Sequence, residues 1–264
     1  MRRPIAAREA HWAKNAARFL ARRGVRPNTV SLASVAFAAL AMACLIAAPR
    51  VHGRWTEVAL FCGAALCIQG RLLCNLFDGM LAVEWDQASA LGPIFNDFPD
   101  RPADVLILAG CGFCGGPAWM PLAAWLAASL ALVTAYTRVL GVAIGAHEYF
   151  VGPMAKPHRM ATTTIACVLA ALEAALGWTP RAMAIALAII ALGCVLTIAR
   201  RLKLIARDLE NAARHHASKT ATPNLSAPSV SAPSIETQSV GAHDDASQSE
   251  ASQSEASRKG AWRR

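Results

Sequence analysis

Residues 74–100 read CNLFDGMLAVEWDQASALGPIFNDFPD, an array of Asp, Asn and Gly set between two apolar segments. The positions that matter in it are Asn75, Asp78, Gly79, Ala82, Gly92, Asn96 and Asp100. Carboxylates beside membrane-length apolar runs are costly unless they face a polar cavity, a metal or a substrate. Small residues between them let a bulky phosphate-bearing ligand approach the backbone.

The surroundings of this array are apolar in blocks. The chain has 264 residues, of which 55% are hydrophobic and only 16% charged. Residues 29–48 (TVSLASVAFAALAMACLIAA) carry no charge. At about 1.5 Å of rise per residue such a helix crosses a hydrocarbon core of about 30 Å. Similar blocks occupy 55–73, 102–116, 119–137, 160–178 and 181–199, interrupted by the acids Glu57, Asp104 and Glu173. The expectation is an all-α integral membrane protein with six transmembrane helices. Gly110, Gly112, Gly115, Gly116 and Pro117 crowd the end of the third block, so a re-entrant or core segment is the alternative there.

The net charge of +9 is unevenly placed. Arg2, Arg3, Arg8, Lys14, Arg18, Arg22, Arg23 and Arg26 face a single acid, Glu9, before the first block, and Arg200, Arg201, Lys203 and Arg207 follow the last. The positive-inside tendency puts both termini in the cytoplasm, in agreement with an even helix count, together with segments 71–101 and 150–160. Such basic flanks favour anionic lipid headgroups. Nucleic acid is excluded as a partner, because no reading module accompanies the charge.

Residues 4–22 form an amphipathic pattern, with Ile5, Trp12, Ala16, Phe19 and Leu20 roughly on one face and Arg on the other. A helix lying on the cytoplasmic leaflet is expected, ended by Gly24, with Asn28 or Thr29 capping the first span after Pro27. From about residue 208 the chain is rich in Ser, Ala, Thr, Gln and Pro and repeats SAPS and ASQSE. Such a tail cannot bury enough apolar surface to offset its ordering entropy. The expected organisation is a basic interfacial helix at 1–26, a six-helix catalytic domain at 27–207 and a disordered cytoplasmic tail at 208–264. No signal peptide is evident. Most of the eight cysteines lie in apolar helices, and the lone pair Cys111 and Cys114 reads as packing rather than zinc.

Within the array, Asn75, Asp78 and Ala82 share a helix face at the cytoplasmic end of the second span. The third span is expected to start near Asn96, with Asp97 as a cap and Asn96 and Asp100 on one face. Two helix ends that bring carbonyl and carboxylate oxygens together can enclose a hard divalent cation, Mg2+ or Mn2+.

The spacing N-x2-D-G-x2-A-V-x8-G-x3-N-x3-D resembles the CDP-alcohol phosphotransferase family, whose pattern is D-x2-D-G-x2-A-R-x8-G-x3-D-x3-D. Identity holds at Asp78, Gly79, Ala82, Gly92 and Asp100 and fails at Asn75, Val83 and Asn96. The resemblance implies an enzyme of the bacterial inner membrane acting at its cytoplasmic face in phospholipid synthesis. An alcohol acceptor attacks the β-phosphorus of a CDP-linked alcohol, often CDP-diacylglycerol, and CMP leaves. It implies metal ligation by Asn75, Asp78, Asn96 and Asp100, with Asp100 as general base, and a cytidine site admitted by Gly79, Ala82 and Gly92. Basic residues after the fourth helix, Lys156 and Arg138 above all, are expected to contact phosphate. A homodimer is common in that family.

The departures remove two negative charges and one cation. Glu84, Asp86, Asp97 and Asp104 are candidates to compensate the charge, and Arg71 or Arg101 the missing arginine; Asp104 could instead pair with either arginine. Glu173 is expected to bond a neighbouring helix. The competing functions are a catalytically lapsed lipid- or nucleotide-binding protein of the same fold and a small-molecule transporter. No inverted repeat between the halves supports the transporter.

Overall fold

The computed structural model describes residues 10–84 and 92–221. Expectations that fall on Ile5, on Asp86 and on the tail repeats lie outside the described residues, as do the side chains of Val83, Glu84 and Asn96. The chain divides into the units Met1–Thr220 and Ala221–Arg264, and the site lies wholly within the first.

The fold is a run of helices: α1 (His11–Arg22), α2 (Pro27–Ala47), α3 (Arg54–Glu84), α4 (Gly92–Asp97), α5 (Asp100–Cys111), α6 (Met120–Ala143), α7 (Lys156–Leu176) and α8 (Ala182–Ala221), with one 3-10 turn at Ala48–Arg50. No strand occurs among the described residues. Among the described residues five helices are long and apolar enough to cross a membrane: Pro27–Arg50, Arg54–Ala82, Met120–Ala143, Lys156–Leu176 and Ala182–Arg214.

The third expected span is the exception. Pro99 lacks an N–H and disfavours helix at Phe98, so the chain breaks between α4 and α5. α5 begins at Asp100 rather than near Asn96 and has only 12 residues, about 18 Å of helix. Asn96 and Asp100 therefore do not share a face of one helix, and Asp97 closes α4 instead of capping α5. Gly112 allows the turn that follows. A Cβ there would lie 2.7 Å from the Cβ of Ala124 and 2.8 Å from the Cα of Pro121, so only glycine lets α5 fold back closely onto α6.

The interior mixes large apolar side chains such as Phe61, Leu45, Ile68 and Ile107 with many alanines. Ala38, Ala41, Ala64, Ala124, Ala127, Ala131, Ala166 and Ala170 fill the interior, whereas Leu32, Leu66, Leu122, Ile165, Ile185 and Leu192 point outward. Small residues let helix backbones approach, and large apolar ones suit lipid. α2 packs on α3 and α5, α3 on α7, and α5 on α6.

At the start of the described chain, α1 packs Ala13 and Ala17 against Leu76 and Met80 of α3, while Trp12 and Phe19 stay exposed. Of the apolar face expected from Trp12, Ala16, Phe19 and Leu20, Trp12 meets the Phe77 ring edge-on at 6.5 Å and Leu20 packs beside Val30, Cys74 and Leu81. Gly24, at φ 70°, ends α1. Pro27 occupies the opening turn of α2, and the N-cap residue is Arg26, without a side-chain cap bond; Asn28 and Thr29 fall inside the helix. At the opposite end of the bundle, the Glu173 carboxylate accepts from the backbone N–H groups of Arg181 and Ala182 at 3.0–3.2 Å and so caps α8. α8 then continues to Ala221, past the tail boundary expected at 208.

Candidate active site

The site lies where α2, α3, α5 and α7 meet. On α3, Arg71, Asn75 and Asp78 are four and three residues apart, which places them on one face. On α5, Asp100 and Asp104 are one turn apart. On α7, Lys156 and Arg159 stand in the first turn, where the helix dipole disfavours cations; both meet carboxylates of α5.

Asp100 is the hub. Asn75 donates its amide to Asp100 Oδ1 at 2.8 Å. Arg71 Nη2 approaches the same oxygen and the backbone carbonyl of Asp100, each at 3.3 Å. Lys156 Nζ is paired with Asp100 Oδ2. One turn deeper, Asp104 lies between two buried arginines: Arg71 Nη2 at 2.5 Å from Oδ1 and Arg159 Nη2 at 2.7 Å from Oδ2. Arg71 is fully buried, and Arg159 and Asp104 are nearly so. Arg159 also donates to the carbonyl of Met154 at 3.0 Å. A buried ion pair needs good geometry and further hydrogen bonds; the Arg159 bond to Met154 is one of these, whereas Arg71 Nε and Nη1 and Arg159 Nε are buried without a hydrogen-bond partner.

Asp78 is buried beside this array. Ser31 of α2 donates to its Oδ2 at 2.7 Å. Its Oδ1 is buried with no hydrogen-bond partner. A buried carboxylate oxygen left without a donor is costly, and a cation would satisfy it. Asp78 and Asp100 lie within electrostatic range of each other and of Lys156. With the half-buried amide of Asn75, they form an oxygen set that suits a hard divalent ion such as Mg2+ or Mn2+. Asn96 lies in α4, near the start of α5, and Gly79 and Ala82 line up on the α3 face beyond Asp78. Gly92 begins α4. Among the described residues no three His, Cys, Asp or Glu side chains gather into a metal cluster. At Asn75 and Asn96 this chain has amides where the pattern it resembles has carboxylates.

Beside Asp100 opens a cleft of about 150 Å³, lined by Asp97, Arg101, Arg138, Lys156, Arg159 and Arg201 among others. Arg138 bonds Asp97 and Glu148, each at 2.8 Å, and Arg101 bonds Asp97 at 2.7 Å. Burial alone would raise the Asp97 carboxyl, but the Arg101 and Arg138 guanidiniums outweigh it and hold Asp97 below the ordinary carboxylate range. Arg201 of α8 donates to the carbonyls of Val151 and Thr134 at 3.0 and 2.6 Å.

Of the residues expected from sequence, Asn75, Asp78, Asp100 and Lys156 come together, and Arg138 borders the adjoining cleft. Asp104 pairs with Arg71, as one of its alternatives held, and with Arg159; Arg101 goes to Asp97 instead. Ser31 and Arg201 were not singled out by sequence reasoning. Ser31 had a faint signal as a hydroxyl in an otherwise apolar span, whereas Arg201 was indistinguishable from ordinary flanking charge.

The described residues thus form an all-helical, membrane-type bundle whose carboxylates and cations converge in one site. No family model matches the chain. A curated relative, the phosphatidylinositol phosphate synthase of Streptomyces avermitilis, is 28% identical over 216 residues, covering 80% of this chain and 84% of the relative. The fold is similar to that of Mycobacterium tuberculosis phosphatidylinositol phosphate synthase with CDP-DAG bound. That match has a TM-score of 0.60 and 18% identity and covers 74% of this chain and 94% of the other. The structure of the same enzyme in complex with manganese and citrate matches with a TM-score of 0.60 and 18% identity, over 73% and 88% of the two chains. In relatives as in motif spacing, the chain resembles the CDP-alcohol phosphotransferases.

Proposed function

We propose that this protein transfers a phosphatidyl group from CDP-diacylglycerol to a phosphorylated polyol, releasing CMP, in phospholipid synthesis. The observation that carries this reading is the convergence of Asp78 and Asp100 beside a cleft rich in arginine and lysine. The relatives support it: their name specifies a product that bears a phosphate beyond the phosphodiester, and one of their structures holds CDP-DAG. A phosphorylated acceptor gives Arg138, Lys156, Arg159 and Arg201 a common anion.

Asp78 and Asp100, with the amides of Asn75 and Asn96, would hold Mg2+ or Mn2+; the manganese in the second tuberculosis structure agrees with that choice. When bound, the ion supplies charge neutralisation at the diphosphate and at the leaving CMP. Asp100 takes the proton from the acceptor hydroxyl as its oxygen forms a bond to the phosphorus that carries the diacylglycerol. The bond from that phosphorus to the CMP oxygen breaks, and CMP leaves with the electron pair. Arg71 and Asn75 hold Asp100 Oδ1 in place, which leaves Oδ2 as the oxygen nearer the cleft. The cytidine end would lie over the small residues Gly79, Ala82 and Gly92.

We further read α5 as a sixth crossing. It packs against α2 and α6. Both termini and the site then face the cytoplasm in a bacterial inner membrane, and the basic residues around α1 meet anionic headgroups. The organisation into an interfacial helix, a catalytic bundle and a cytoplasmic tail follows, and small-residue helix faces would permit a homodimer.

The test is CMP release from CDP-diacylglycerol in membranes containing the protein and Mn2+, with inositol phosphate, glycerol 3-phosphate, inositol and serine compared as acceptors. Turnover with a phosphorylated acceptor is expected. Turnover only with unphosphorylated acceptors would reject the acceptor class, and no turnover with any would favour the lapsed alternative.

A further inference from the structure

Three cations and three carboxylates make up the inner site. Arg71, Lys156 and Arg159 face Asp78, Asp100 and Asp104, so with Lys156 in place the array is neutral. Asn75 adds no charge. A divalent ion entering next to Asp78 and Asp100 therefore meets no net attraction until one cation leaves.

The three cations are not equally able to leave. Arg71 has no exposed side-chain surface and is tied to Asp104 and to the Asp100 backbone. Arg159 is 2% exposed and tied to Asp104 and Met154. Lys156 is 25% exposed, pairs with Asp100, and lines the cleft together with Arg138, Arg159 and Arg201. A lysine is a compact charge on a flexible four-carbon stem, and its Nζ can swing from Asp100 toward the cleft without unfolding α7.

We infer that Lys156 is a displaceable counter-ion: it neutralises Asp100 while the divalent ion is absent, and moves onto the acceptor phosphate in the cleft when the ion binds. The two binding events are then coupled. The ion frees Lys156 for phosphate, and phosphate draws Lys156 away from the ion's carboxylate. Linkage makes the effect reciprocal and equal in both directions. The orphaned Oδ1 of Asp78 is the second observation that points to a cation here. The inference rests on the phosphate reading of the cleft given above.

The experiment is calorimetric titration of the full chain in lipid nanodiscs with Mn2+ alone, with glycerol 3-phosphate alone as a phosphomonoester probe, and with each in the presence of the other. No CDP-lipid is added, so no turnover enters. In the natural protein each ligand is expected to tighten the other at least about five-fold, within the usual range of coupling energies. In Lys156→Met, Mn2+ alone binds at least about five-fold tighter, and the coupling shrinks to the direct attraction of opposite charges. Lys156→Gln, which keeps a polar group at the position, is expected to behave the same way, and far-ultraviolet circular dichroism checks that both variants fold. Arg138→Gln weakens the probe but keeps the coupling. Coupling of equal size in the natural protein and both Lys156 variants would overturn the inference. If the probe fails to bind the natural protein while Mn2+ tightens in both Lys156 variants, the phosphate reading of the cleft fails and the counter-ion role of Lys156 stands.

Discussion

Asn75 on α3 and Asp100 on α5 are joined by a 2.8 Å hydrogen bond in which the amide donates to the carboxylate. A carboxylate at position 75 could not make that bond. The asparagine is thus a positive contribution to the site as well as the loss of a charge.

Asn75→Asp exchanges this bond for a like-charge contact. A hydrogen bond to a charged group contributes about 1.5–3 kcal/mol, so the variant's melting temperature in a chelator is expected to fall. Mn2+ should restore more stability to the variant than to the natural protein, because the site gains a negative charge. Thermal denaturation in detergent, with and without Mn2+, measures both changes. A variant more stable in chelator than the natural protein would contradict the role assigned to the bond.

Asp100→Asn keeps the shape of the hub and removes its basicity. General-base catalysis is worth about 10²–10⁴-fold, and kcat for CMP release is expected to fall by at least about 10²-fold. Asp78→Asn should act mainly on Mn2+ affinity, since its Oδ1 is buried without a hydrogen-bond partner while Ser31 holds its Oδ2. Equal losses of kcat and of Mn2+ affinity in both variants would remove the distinction between base and ligand.

The array at 74–100 and the apolar blocks between charged flanks were enough to place the helical architecture and to nominate Asn75, Asp78 and Asp100. They work because they are local: spacing on one helix fixes which side chains share a face. What could not be read is what depends on neighbours far along the chain. Ser31 reaches Asp78 across 47 residues of sequence, and Arg201 reaches the Thr134 carbonyl across 67. The length of α5 was misjudged for a local reason. Hydropathy continues through residues 102–116, but Pro99 delays the helix start and the glycines from Gly112 onward end it.

Asp104→Asn leaves Arg71 and Arg159 short of a charge in a dry interior. Breaking a buried ion pair from one side costs about 3–5 kcal/mol. The variant is expected to express poorly and to melt well below the natural protein, as measured by thermal aggregation in detergent. A change no larger than that of an exposed-surface substitution would mean that water reaches this array.

Asp97→Asn separates an electrostatic from a structural effect at the rim. The Asp97 carboxyl is held below its ordinary range by Arg101 and Arg138. A group depressed on folding stabilises above its unfolded pKa, about 3.9, and that contribution disappears as pH falls through the lower folded value. The stability gap between the natural protein and Asp97→Asn should therefore be present at neutral pH and close in acid. The variant also relieves Arg138 of one of its two acids, so the KM of a phosphorylated acceptor is expected to drop. A KM that rises would indicate that Asp97 orients Arg138 rather than competing for it.

Gly152 sets the loop that delivers Lys156 to the site. It sits at φ 132°, and a Cβ there would fall 2.3 Å from Cγ2 of Thr197 on α8. Thr197 accepts the Met154 N–H at 3.0 Å and donates to the Gly193 carbonyl at 2.7 Å, which ties the loop to α8 just ahead of the first turn of α7. A branched side chain at 152 must push the loop off α8, carrying Lys156 and the Met154 carbonyl that holds Arg159. Strain of about 1–3 kcal/mol is typical for a non-glycine residue forced into such a conformation, and every 1.4 kcal/mol of lost binding is about ten-fold in affinity. Gly152→Val is therefore expected to raise the acceptor KM at least about ten-fold. The KM for CDP-diacylglycerol should change little, because the residues proposed to meet the donor lie on α3, on α4 and at the start of α5. Acceptor and donor KM values rising together would show that the loop supports the whole site rather than the phosphate cleft.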